Sequence, residues 1–251
     1  MTLTLGILIV LVTVVGAAAQ RMAGLGFALL VSPLMTLLLG GHSGVLLVNI
    51  LGVVSSLLIL PRVWRSVDWS MFRWLTPFAI IGAVVGSWLS QLLSPAVMAV
   101  SVGAIVLLAL SLSLIFTSER FSTEPRAPRA LTGLLSGLTN SLAGVGGPAV
   151  SAYAVLTRWP QVSFAATLQP YFVVTGLASA GAKLLMNPAG MLPDTDWWFW
   201  GIVFAAILLG IAAGERLLRL VTPAQVRRFV VILACAGAAA SFLRGLVTPL
   251  S

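Results

Sequence analysis

Two short polar, glycine-rich segments interrupt otherwise apolar stretches of this 251-residue chain. The first runs from Gln20 to Gly26 (Gln-Arg-Met-Ala-Gly-Leu-Gly) and the second from Asn140 to Pro148 (Asn-Ser-Leu-Ala-Gly-Val-Gly-Gly-Pro). Glycine and proline loosen a helix, and non-helical backbone is tolerated at membrane depth only where protein or a water-filled cavity satisfies its N–H and C=O groups. Freed N–H groups at the start of a half-helix also attract anions. The two segments therefore predict the two sides of one anion-binding site.

The candidate substrate-binding residues are the polar and glycine residues of these segments, together with two amides at equivalent places in the two halves of the chain. They are Gln20, Arg21, Gly24, Gly26, Asn49, Asn140, Ser141, Gly144, Gly146, Gly147 and Gln169. Arg21 matters most, because an arginine within an apolar run is expensive and usually faces a cavity or a partner. No acidic residue lies inside an apolar run away from its ends, so we expect Arg21 to be an uncompensated positive charge that suits an anionic solute.

Each of these residues also has a simpler interpretation. The glycines could only let helices pack closely, and the amides could form interhelical hydrogen bonds without any ligand. Arg21 could extend to the membrane interface. The occurrence of two interruptions at matching places in two halves favours a binding site, because such pairs are typical of transporters.

The composition indicates a membrane protein. Hydrophobic residues make up 59% of the chain and charged residues only 8%, whereas a soluble domain averages about 25% charged residues. Apolar stretches of about 17–25 residues, long enough to cross a bilayer, recur along the whole length. The net charge of +8 comes from Lys and Arg that lie mostly at segment ends, as the positive-inside rule expects, so a nucleic-acid partner is not predicted. The apolar N-terminus has no basic region before it, and we expect it to be a mature membrane segment.

The chain contains an internal repeat. A shift of 120 positions places Ala23–Gly26 on Ala143–Gly146 and Asn49 on Gln169, and a shift of 128 places Gly82 on Gly210 and Gly86 on Gly214. Ordered matches at nearly one offset predict two homologous halves, residues 1–116 and 130–251. The segment 117–129 between them is rich in charge and proline and reads as a linker.

The charges of the connecting segments predict that the halves are inserted upside down relative to one another. Arg62, Arg65 and Arg73 crowd one loop of the first half, whereas we assign Lys183 to the equivalent loop of the second, beside two aspartates. If each interrupted run folds back, so that its two ends share a side, nearly all basic residues fall inside. We therefore expect an all-α membrane protein built as an inverted repeat. Each half has three spanning helices plus a broken or re-entrant helical element, and the linker is cytoplasmic.

The chain resembles the TauE/SafE sulfite exporter family over nearly its whole length. The residues that carry the resemblance are Ala23-Gly24-Leu25-Gly26 with the downstream Ser32-Pro33, the Asn49 helix, Val67-Asp68-Trp69, and the segment Asn140–Pro148. Phe27 after Gly26 departs from the more glycine-rich form of the first motif. The resemblance implies a multi-pass protein of the bacterial inner membrane that exports small sulfur-containing anions such as sulfite or organosulfonates.

The residues predict a secondary transporter of a small anion, and the resemblance implies the export of a sulfur-containing oxyanion such as sulfite or an organosulfonate. An anion channel built on the same site stays open. An enzyme is not expected, because the chain offers no nucleophile, base or metal cluster. A purely structural membrane subunit is disfavoured by the paired interruptions. No phosphate-binding loop is present, and no cofactor or metal is expected. The expected partners are the anionic solute and membrane lipid, and the oligomeric state stays open.

Overall fold

The computed structural model describes residues 2–23, 27–115, 126–187, 196–217 and 220–247. These ranges form ten α-helices, and no strand occurs within them. The helices of the first half are α1 (Leu3–Ala23), α2 (Phe27–Leu39), α3 (Gly41–Val63), α4 (Trp69–Gln91) and α5 (Pro95–Ile115). Those of the second half are α6 (Arg126–Ala143), α7 (Gly147–Leu156), α8 (Gln161–Met186), α9 (Trp197–Leu217) and α10 (Pro223–Val247). The expected all-α architecture is confirmed.

Five of the described helices are long and apolar enough to cross a membrane. They are Leu3–Met22, Gly41–Ser66, Trp69–Gln91, Trp197–Leu217 and Arg228–Val247. Their outward faces keep large apolar side chains uncovered, such as Leu209 and Ile232, because lipid rather than water surrounds them. The protein is therefore a multi-pass membrane protein. Helix α8 is not among the five, since its 26 residues include buried polar side chains such as Thr167, Gln169 and Lys183.

Helices from opposite halves pack against each other in equivalent pairs, α1 with α9 and α4 with α6. Gly82 of α4 lies so close to α6 that a Cβ atom there would collide with the carbonyl oxygen of Leu134. Gly210 of α9 lies in the same way against the carbonyl oxygen of Val14 in α1. The two contacts are related by the shifts of 128 and 120 positions found in the sequence. The glycines that matched in sequence thus lie at close contacts between the halves.

Each interrupted run consists of two helices that lie side by side. In the first half, a Cβ atom at Gly16 of α1 would meet the side chains of Phe27 and Val31 in α2. In the second half, the Nε of Arg129 near the start of α6 donates to the hydroxyl of Tyr153 near the end of α7, at 2.8 Å. Both runs therefore turn back at the predicted interruption.

The predicted linker 117–129 overlaps the structure only at its end. Its residues 126–129 belong to the first turn of α6, and its remaining residues lie outside the described part of the chain.

Candidate functional site

The two polar segments fall where helices end. Helix α1 ends at Ala23 and α2 begins at Phe27, whereas α6 ends at Ala143 and α7 begins at Gly147. The predicted breaks are thus confirmed as helix boundaries. Gln20 and Arg21 occupy the last turn of α1, and Asn140 and Ser141 occupy the last turn of α6. Gly24 and Gly26 lie outside the described residues.

One small cavity lies between the two interrupted runs. Its volume is about 40 Å³, and its wall includes residues of α1, α3, α6 and α7. Among the predicted site residues it is lined by Gln20, Asn49, Asn140, Gly144, Gly146 and Gly147. Phe27, Phe172 and Gly176 complete much of the remaining wall. Repeat-related residues 120 positions apart, such as Gln20 and Asn140, thus line one cavity.

The second break requires glycine at its centre. Gly144 has φ +68°, which side chains rarely adopt, and a Cβ atom there would lie 3.0 Å from Val48 Cγ1. Its N–H donates to the carbonyl oxygen of Asn140 at 2.7 Å. The Ser136 hydroxyl donates to the carbonyl oxygen of Gly146 at 2.6 Å, which fixes the approach to α7.

The start of α7 faces the cavity without a capping side chain. Its N-cap is Gly146, and among the described residues no side chain bonds the first N–H groups of the helix. Pro148 in the first turn carries no N–H, so the donors left there belong to neighbouring residues such as Gly147. A helix start of this kind adds the positive end of the helix dipole to the cavity wall.

Two repeat-related pairs of amides cross the site. Asn140 Nδ2 donates to Asn49 Oδ1 at 2.7 Å, and Gln20 Nε2 donates to Gln169 Oε1 at 3.2 Å. The shift of 120 positions converts one pair into the other. The amides therefore bond each other across helices, as the simpler interpretation of these residues expected. Three of the four also line the cavity, whereas Gln169 lies behind Gln20.

The Gln20 amide keeps one group free. Its Nε2 bonds both Ser56 Oγ, at 3.0 Å, and Gln169, whereas its buried Oε1 has no partner among the described residues. An orphaned buried acceptor is costly unless water or a ligand reaches it. Since Gln20 lines the cavity, a solute that carries a proton could donate to this oxygen.

Ser141 supports the wall from behind and does not line it. Its fully buried hydroxyl lies 2.7 Å from the carbonyl oxygen of Ala83 and 2.7 Å from the hydroxyl of Ser179. These bonds fix the last turn of α6 against α4 and α8.

Arg21 is not an uncompensated charge, and this expectation was wrong. Its Nε lies 3.1 Å from Glu215 Oε1, and Arg62 Nε lies 3.1 Å from the same oxygen. Arg21 does not line the cavity, and its side chain is 24% exposed. Glu215 stands at the end of an apolar run and was therefore not expected to meet it. The close approach of α9 to α1 at Gly214, whose Cβ atom would lie 3.0 Å from Arg21 Cβ, brings the two together.

The assignment of Lys183 to a loop was also wrong, because this lysine is fully buried in the last turn of α8. Its Nζ donates to Ser90 Oγ in α4 at 3.0 Å. The spacing of Gly176, Ser179 and Lys183 puts them on one face of a helix, but spacing alone does not distinguish a buried face from an exposed one. A charge at the end of an apolar run predicts a border position, and the packing of α8 against α4 overrides that prediction.

Comparison with known families gives one match. The model of the family described as "Sulfite exporter TauE/SafE" matches residues 8–241, and so covers both interrupted runs. No curated protein and no solved structure matches the chain. The resemblance stated from the motifs is confirmed.

Proposed function

This chain belongs to the sulfite exporter TauE/SafE family, and we propose that it is a secondary transporter that exports a small sulfur-containing oxyanion. Sulfite and organosulfonates are the proposed solutes, and the bacterial inner membrane is the proposed location. The family consists of membrane transporters, which argues against an enzymatic role.

The shared cavity is the observation that supports the proposal most strongly. Its volume of about 40 Å³ suits a solute of a few heavy atoms, because one water molecule needs roughly 10–15 Å³ on this measure. Its wall combines amide groups with the uncapped start of α7. Such a wall can replace the hydration shell of a small oxyanion with fixed N–H donors.

Both donors and acceptors contribute to the proposed binding mode. The N–H groups around Gly146 and Gly147 donate to the solute oxygens. The two amide hydrogens of Asn140 are held by Asn49 Oδ1 and Ser179 Oγ, so Asn140 shapes the cavity wall, and Gln169 holds the amide of Gln20 in place. The free Gln20 Oε1 accepts from a proton on the solute, which favours an oxyanion that keeps one proton. Gly24, Gly26 and Ser141 remain part of the proposed site.

In the proposed transport cycle, Arg21 exchanges Glu215 for the solute as its partner. Glu215 holds its charge in the conformation described. We expect the transport cycle to separate α9 from the end of α1, so that the solute replaces Glu215 as the counter-ion of Arg21. Arg21 would then affect the rate of transport more than the affinity of the resting site.

Alternating access follows from the proposed inverted repeat, composed of residues 1–116 and 130–251. The equivalent contacts of α1 with α9 and of α4 with α6 support two similar units that can rock about the cavity. The proposal puts the linker 117–129 in the cytoplasm and the segment before Asp196 outside.

Binding and transport of sulfur oxyanions test this function directly. Purified protein is screened by thermal unfolding with sulfite, sulfate, thiosulfate, methanesulfonate, acetate and chloride, and reconstituted vesicles are then assayed for uptake of labelled sulfite. An anion at 100 times its Kd is expected to add about 2.7 kcal/mol of stability. Saturable uptake supports a carrier. Absence of both stabilisation and uptake for every anion would refute the proposal, and uptake that does not saturate would favour a channel.

Topology is tested separately by cysteine labelling. Cys235 is replaced by Ala, and either Ser122→Cys or Thr195→Cys is introduced. Opposite accessibility to an impermeant maleimide is expected, because the proposal puts the segment 117–129 in the cytoplasm and the segment before Asp196 outside. Labelling of both from one side would contradict the inverted repeat.

A further inference from the structure

Lys183 is a buried cation that has no carboxylate partner among the described residues. Its side chain is fully buried, and the only hydrogen bond of its Nζ within the described residues is to Ser90 Oγ at 3.0 Å. Within the described residues, the ion pairs join Glu215 to Arg21 and Arg62, and none includes Lys183. An ionisable residue inside a membrane protein is expensive and usually functional.

The neighbours of Lys183 provide dipoles but no negative charge. Ser90 belongs to the last turns of α4, whose carbonyl end favours a cation. His42 at the start of α3 reaches the same end of α4, with its Nε2 3.1 Å from the carbonyl oxygen of Leu93. The Ser90 hydroxyl orients the ammonium, and no carboxylate of the described residues compensates its charge.

A continuous series of buried polar contacts joins Lys183 to the cavity. The Ser90 hydroxyl donates to the carbonyl oxygen of Ser87 at 2.7 Å, and the Ser87 hydroxyl donates to Ser141 Oγ at 3.2 Å. The series continues to Ser179 and then to Asn140 in the cavity wall, through contacts of 2.7 and 3.0 Å. Because a backbone carbonyl interrupts the hydroxyls at Ser87, the series can align dipoles between Lys183 and the cavity but cannot relay a proton.

We propose that Lys183 supplies the positive charge that attracts the anion to the cavity, and that this charge makes the cavity prefer anions of higher charge. This inference rests on the proposed transport of an anion. Lys183 follows Gly176 of the cavity wall by seven residues, or roughly 10 Å along α8. At this distance and an effective dielectric constant of about 20, one unit of solute charge changes the affinity by about tenfold. Arg21 is a weaker source of this charge in the same conformation, because it lies outside the cavity wall, is partly exposed and shares Glu215 with Arg62.

If Lys183 acts through its charge, its effect on binding can be distinguished from that of a purely structural residue. Removing a charge should weaken binding in proportion to the charge of the ligand, whereas a packing defect should weaken the binding of all ligands alike. Sulfate, a dianion, and methanesulfonate, a monoanion of similar shape, provide the pair of probes at one pH.

The test measures the Kd of both anions, as stabilisation or as inhibition of sulfite uptake, for wild type, Lys183→Met and Lys183→Arg. Lys183→Met is expected to lose about 100-fold for sulfate and about tenfold for methanesulfonate. Lys183→Arg should keep the ratio of the two. Arg62→Met removes a half-exposed cation away from the cavity and should change either Kd less than about twofold. If Lys183→Met does not fold, Lys183→Gln is the neutral variant.

Equal losses for the two anions, or no loss, would refute the role of Lys183 and leave the proposed transport intact. A wild type that recognises no anion would refute the proposed function, and the inference with it.

Discussion

The ends of α1 and α6 occupy equivalent places in the two halves but use different chemistry. At the end of α6, Ser87 Oγ lies 3.2 Å from Ser141 Oγ, and both residues are fully buried. At the end of α1, the equivalent positions carry Glu215 and Arg21, with Nε 3.1 Å from Oε1 and both side chains partly exposed. The shifts of 128 and 120 positions relate these pairs. Close helix approach is thus common to the two halves. The ion pair occurs at the partly exposed contact and the serine pair at the buried one, because burying an ion pair carries a large desolvation penalty.

Exchanging the two pairs should have the largest effect on stability. Ser141→Arg with Ser87→Glu would place an ion pair in a fully buried site and is expected to destabilise the protein by about 3 kcal/mol or more. The opposite exchange, Arg21→Ser with Glu215→Ser, should cost about 0.5 kcal/mol, since exposed ion pairs contribute little. Thermal unfolding in detergent measures both. Similar losses for the two exchanges would show that exposure does not govern the difference.

The glycine contacts test whether the halves are equally close-packed. Gly82→Ala and Gly210→Ala should each destabilise the protein by about 2 kcal/mol, because a Cβ atom at either position collides with a backbone carbonyl oxygen. Gly201 of α9 is the matched control, since nothing lies near its Cβ position. Gly201→Ala should be neutral or stabilise by up to about 1 kcal/mol. A marked difference between Gly82→Ala and Gly210→Ala would indicate that the halves pack differently.

Single truncations at the two pairs should give the smallest changes in stability. Ser141→Ala leaves its buried partners without a hydroxyl and should cost about 1 kcal/mol at any ionic strength. Arg21→Met should cost no more than about 0.5 kcal/mol, and less in high salt. The same Arg21 variant should retain anion-induced stabilisation, because Arg21 does not line the resting cavity. It should transport about tenfold more slowly, because the positive charge of Arg21 is missing when the solute replaces Glu215. Loss of stabilisation would place Arg21 in the resting site.

Local sequence signals predicted the elements of this fold but not the partners of its charges. Glycine, proline and polar residues mark the helix ends at Ala23 and Ala143, because they act on the backbone within one turn. The matched positions Gly82 and Gly210 identify the contacts between halves. Glu215 and Lys183 were missed since their surroundings depend on residues far away in sequence. A charge at the end of an apolar run can face the interface or a neighbouring helix, and only the packing decides.

Anion binding to Asn140→Asp tests most directly whether this cavity is the anion site. This change keeps the shape of a side chain in the cavity wall but exchanges amide donors for a carboxylate. The exposed amide Gln225, which accepts from Thr222, provides the matched control Gln225→Glu. With sulfite as the probe, we expect Asn140→Asp to weaken binding by at least about 100-fold, because a desolvated carboxylate in the cavity wall repels the anion. Gln225→Glu should bind as wild type does. Undiminished binding of sulfite to a folded Asn140→Asp protein would contradict the assignment of this cavity as the anion site.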